Sequence, residues 1–74
     1  MSAADERDVK ETVELLARMA VNRVLAMGGT HELIEAEADR AQQALDRGEQ
    51  PEGGWMTADM ITAVRAELAK RAAA

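Results

Sequence analysis

Apolar residues recur along this chain at spacings of three and four, and nowhere alternate with polar ones over a strand-length run. That period predicts amphipathic helices and no sheet. Glycines and hydroxyl residues divide the pattern into three segments, giving one helical domain over residues 1–74 with helices at about 3–27, 31–47 and 58–71. Ser2 with Asp5, or Asp5 with Asp8, reads as a capping box opening the first helix. Gly28-Gly29 stop that helix, because glycine accepts the left-handed conformation at a helix C-terminus. Thr30 is placed to cap the second helix and Gly48 to end it. A loop with Pro51 and Gly53-Gly54 follows, and Thr57 caps the third helix, with Met56 and Ile61 spaced as a hydrophobic staple. The fold class is therefore all-α, a small three-helix bundle or open helical array.

At 100° per residue each helix shows an apolar stripe. Helix 2 aligns Ile34, Ala38, Ala41 and Leu45; helix 3 aligns Met60, Ile61, Val64 and Leu68. Helix 1 aligns Val9, Val13, Leu16, Ala20, Val24 and Met27, but this stripe does not exhaust its apolar residues. Leu15, Met19 and Ala26 form a second line, and Val21 and Leu25 stand on a third side. A helix apolar nearly all round requires burial all round. Either helices 2 and 3 straddle helix 1 and cover both stripes, or the surplus is an interface. The favoured expectation is an isologous homodimer through Leu15, Met19, Ala26, Val21 and Leu25.

Composition strengthens that expectation. The chain has 74 residues and is 47% hydrophobic, but sixteen of those hydrophobic residues are alanine. Alanine favours helix and buries little area. A domain of this size draws about 3–5 kcal/mol from its core, and natural ones add a metal, disulfides or self-association. There is no cysteine, which removes disulfides and cysteine-based zinc sites. No apolar run reaches the ~18 residues of a membrane span, and no signal-peptide pattern is visible, so a cytoplasmic protein with no membrane partner is expected.

The net charge of -5 is unevenly distributed. Residues 1–29 carry five acids and four bases, residues 30–50 six acids and two bases, and residues 51–74 three of each. On helix 2, Glu32, Glu35, Asp39 and Asp46 fall within about 60° of arc, away from the apolar stripe. This acidic ladder spans about 21 Å. It is either a solvated face or a surface for a partner with a basic patch. Direct nucleic-acid binding is not expected, since phosphate contacts need basic residues and helix 3 offers only Arg65, Lys70 and Arg71 against the acids around it. The roughly nine-residue connection from Gly48 to Met56 is also too long for a helix-turn-helix.

Candidate chemistry is sparse. His31-Glu32-Leu33-Ile34-Glu35 begins like a zincin helix, but Glu35 stands where the second histidine belongs, and no other His or Cys completes a site. The glycine pairs lack the strand and the Lys-Ser/Thr context of a phosphate loop. Ser2 is the one serine, so no nucleophile is positioned for His31 to activate. Acyl carrier proteins share this size and acidity, but their prosthetic group sits on the serine of an Asp-Ser-Leu motif, which this chain lacks. Trp55, the lone aromatic, is either a plug for the end of the bundle or an anchor for a partner.

The expectation is thus a non-enzymatic interaction protein without cofactor or metal. It self-associates through helix 1 and presents Glu32, Glu35, Asp39 and Asp46 outward. The alternatives are an acidic inhibitor or adaptor of the nucleic-acid-mimicking, mobile-element kind, which would bind a basic surface of a nucleic-acid-handling protein, and a helical subunit of a larger assembly.

Overall fold

A computed structural model describes residues 3–51 and 56–73, with side chains from Glu6 onward. The chain is all-α: α1 spans Ala3–Ala26, α2 His31–Asp46 and α3 Ala58–Ala73. Ser2 and Trp55, and with them the capping box on Ser2 and the expected aromatic plug or anchor, lie outside the described residues.

The helix boundaries follow from local backbone chemistry. Thr30 is extended (φ -121°, ψ 164°), and its Oγ1 accepts a hydrogen bond from the Leu33 amide at 3.2 Å. Thr57 Oγ1 accepts from the Met60 amide at 3.2 Å in the same way. Each cap satisfies an amide that the first helical turn leaves without a partner. The ends of α1 and α2 share one solution. Gly28 (φ 92°) and Gly48 (φ 76°) adopt positive φ. The Gly29 amide then reaches back to Val24 O at 2.9 Å, and the Glu49 amide to Ala44 O at 2.8 Å. The Gly28 and Gly48 amides bond Leu25 O and Leu45 O, completing a Schellman motif at both ends.

Helix directions follow from the cross-links between them. Arg71 on α3 bonds Asn22 on α1, while the N-terminal half of α1 lines a groove with Asp59 and Thr62, so α1 and α3 run parallel. Asp39 on α2 pairs with Arg65 on α3, and His31 at the start of α2 lies near Ala72, so α2 runs antiparallel to α3. α3 packs on both other helices, whereas α1 and α2 touch each other little. The result is an open three-helix arrangement with α3 in the middle, measuring 39 × 33 × 20 Å. The 24 residues of α1 make a rod of about 36 Å against about 24 Å for the 16-residue α2 and α3, so its first turns project past the start of α3.

The core takes Met60, Ile61, Val64 and Leu68 from α3, Ile34, Ala38 and Ala41 from α2, Met56 from the connection, and Ala17 and Val21 from α1. The stripes expected on α2 and α3 are buried, with Leu45 half-buried at the edge. Met56 and Ile61, the expected staple pair, both lie in this core.

Helix α1 departs from expectation. Its buried line is Ala17–Val21, flanked by Val13, Val24 and Leu25, about a quarter-turn from the Val9–Met27 stripe. Leu16, Val9 and Met27, expected inside, are exposed. Val21, expected on the self-association surface, is fully buried in the core, and Leu25 is half-buried against it. The physical reason is that the large apolar residues of α1 lie on several sides of the helix, so its phase is set by the partner helix. Turning Ala17 inward lets the backbones approach closely, and Val21 fills the space beside it.

Gly29 tests the α1 exit. A Cβ there would lie 2.4 Å from Val24 Cγ1 and 2.9 Å from Val24 O, so part of the obstruction is backbone. Gly29→Ala is expected to destabilise the fold by about 1–3 kcal/mol, a large share of what so small a domain has. Urea denaturation followed by circular dichroism measures it, and an unchanged midpoint would contradict the tight fit.

Candidate interaction surface

The acidic ladder on α2 is shaped by its neighbours. Glu32, Glu35, Asp39 and Asp46 are all exposed. Asp39 Oδ1 accepts from Arg65 Nη2 of α3 at 2.9 Å, and Asp46 Oδ1 accepts from the Gln42 amide at 2.9 Å. Arg65 thus sets a positive charge beside the middle of the row, leaving Glu32 and Glu35 as the acidic end nearest the helix start. That end suits the positive pole of the α2 dipole. Glu37, on the other flank, pairs with Arg40.

His31 is half-buried and shares a shallow hollow with Glu35, Asp39 and Arg65. A guanidinium in that hollow opposes a cation. Among the described residues, no group of three or more His, Asp or Glu is placed to hold a metal ion.

The more distinctive surface is apolar. Exposed large hydrophobic residues gather on α1: Leu15 at 48%, Leu16 at 47%, Met19 at 55% and Met27 at 78% exposure, with Val9 nearer the start. Leu15, Met19 and exposed Ala26 lie along the back of the helix, remote from the Ala17–Val21 line. Leu16 and Met27 continue the patch round the flank. Asn22 and Arg18 mark one flank of α1 that borders α3, and Leu16 and Met27 lie on the opposite flank. On α2, Leu33 is exposed, off the flank that carries Asp39 and its Arg65 partner. The apolar surface is thus a line along the back of α1, continued on one flank by Leu16 and Met27.

Of the five residues expected at the self-association surface, the structure keeps Leu15, Met19 and Ala26 together outside and takes Val21 and Leu25 inward. Leu16 and Met27 join the outer set. Both belong to the Val9–Met27 stripe expected to face inward, and the quarter-turn shift of the buried line turns them out. The groove between α1 and α3 is lined by Val9, Val13, Lys10, Glu14, Glu67 and Lys70 among others, with both charge signs mixed, and offers no single ligand chemistry.

A polar clamp closes the C-terminal end of the α1–α3 contact. Arg71 Nε donates to Glu67 Oε2 at 2.7 Å and its Nη2 donates to Asn22 Oδ1 at 2.6 Å, with the Arg71 and Glu67 side chains largely shielded from water. Charge-assisted bonds with restricted solvent are stronger than exposed ones. Arg71→Ala is expected to cost about 1–2 kcal/mol. Arg65→Ala, which breaks an exposed pair, should cost less than about 0.5 kcal/mol. Paired urea melts separate the two.

Methionine oxidation reports the surface directly. In dilute solution Met19 and Met27 should form sulfoxides well before Met56 and Met60, which are 4% and 9% exposed. Peptide mass spectrometry after brief peroxide treatment reads the order, and oxidation of Met60 ahead of Met19 would contradict this arrangement. Among the described residues no helix is long and apolar enough to cross a membrane. No family model matches this chain, and no characterised protein or solved structure is significantly similar to it.

Proposed function

We propose that this chain is a non-enzymatic, cytoplasmic interaction module that forms a homodimer through the back of α1 and displays the acidic flank of α2 to a protein partner with a basic surface. One observation carries the reading: Leu15, Leu16 and Met19 are each about half exposed on one helix of a domain with little core to spare. Contiguous apolar surface of this kind is costly in water and marks association sites. An isologous contact answers it economically, because one patch serves both subunits.

The acidic flank supports the second half of the reading. Glu32 and Glu35 are exposed and lie on a different helix from the proposed dimer surface, so pairing through α1 leaves them accessible. Two copies in one dimer would double the local charge facing a basic partner and raise the encounter rate at low salt.

Sedimentation equilibrium in the micromolar range should give a dimer. Met19→Glu, which buries a charge in the proposed contact, should weaken it at least about ten-fold while preserving the helical dichroism signal, because Met19 is exposed in the isolated fold. A chain that remains monomeric at hundreds of micromolar would remove the proposal.

A further inference from the structure

The charges that border the apolar back of α1 are sorted along its length. Between Glu6 and Glu14 the helix carries Glu6, Asp8, Glu11 and Glu14 against Arg7 and Lys10. From Leu15 to Ala26 it carries Arg18 and Arg23 and no acid. Asp8, Glu11, Arg18 and Arg23 are all exposed, and the exposed Leu15, Leu16 and Met19 lie between Glu11 and Arg23. The uncharged polar residues are placed evenly as well, with Thr12 and Asn22 equidistant in sequence from Ala17.

From this pattern we infer that two copies of the chain pair antiparallel along α1, about a two-fold axis at the level of Ala17. The inference rests on the self-association proposed above and specifies its geometry. In this arrangement Leu15 meets Met19 of the partner subunit, and the acidic half of each helix lies over the basic half of the other. A parallel pairing would set acid against acid and base against base at both ends. Opposite charges at the rim of a contact contribute orientation and specificity, and like charges exclude the alternative. Antiparallel helices also align their dipoles favourably. The projecting first turns of α1 extend past the partner's last turn, so neither body of the bundle has to open.

Two measurements on the full chain test this. The chain has no native cysteine, so Ala26→Cys gives a single site for a nitroxide label. Antiparallel pairing separates the two labels by about 27 Å along the axis, because position 26 faces the level of position 8. Parallel pairing leaves them across one interhelical gap of about 8–10 Å. The long distance is expected from pulsed dipolar spectroscopy. In parallel, the double variant R18E/R23E should weaken the dimer about ten-fold at low salt, and the variant D8R/E11R/R18E/R23E should restore it. The difference should shrink at 1 M salt. Helical dichroism confirms that each variant is folded. A wild-type chain that sediments as a monomer overturns the self-association itself. A dimer with the short label distance, or one whose affinity ignores the R18E/R23E reversal, leaves self-association standing and overturns the antiparallel arrangement.

Discussion

The apolar stripe of α3 is the constraint on which the rest of the structure depends. Met60, Ile61, Val64 and Leu68 supply most of the large buried side chains, and both other helices lean on them. What α1 and α2 offer in return mixes small and large side chains: Ala17 beside Val21 from one, Ala38 and Ala41 beside Ile34 from the other. Small residues let helix backbones come close, and large ones on the third helix then fill the remaining volume. Because α1 and α2 meet so little, the removal of α3 would leave them with no common core.

This division explains where sequence reasoning succeeded. Helices α2 and α3 each have one apolar direction, so the period of Ile34, Ala38 and Ala41 and that of Met60, Ile61, Val64 and Leu68 identify the inward face directly. Helix ends were equally legible, since Thr30, Thr57, Gly28 and Gly48 act within one turn of where they stand. Helix α1 was not legible in phase. Its large apolar residues lie on several sides, so spacing does not choose among them: Val21, expected outside, is buried, and Leu16, expected inside, is exposed. The choice is made by packing against a helix some forty residues away in sequence, which no local window contains.

The polar cross-links escaped for the same reason. Glu67 and Arg71 are visible as an i,i+4 pair, but the hydrogen bond from Arg71 to Asn22 joins two helices and closes an arrangement that spacing alone does not reveal. Arg65 likewise reaches Asp39 on another helix and breaks what the sequence presents as an uninterrupted acidic row. Such bonds do little to choose the fold, but they decide which charges remain available to a partner. The electrostatic surface of α2 is therefore a property of two helices.

The central position of α3 bears on how the chain acquires its fold. During synthesis α1 and α2 emerge before α3, with almost no mutual contact to bury their apolar faces. Until α3 is available, α1 shows water both its inward line and its apolar back. Helices in proteins draw most of their stability from packing an apolar face, and for α1 and α2 that packing waits for α3. The abundance of alanine has a second consequence at that stage: it sustains helical bias while offering little surface for misassociation. Folding of this domain is in that sense a closing event, in which α3 converts two loosely held rods into one body.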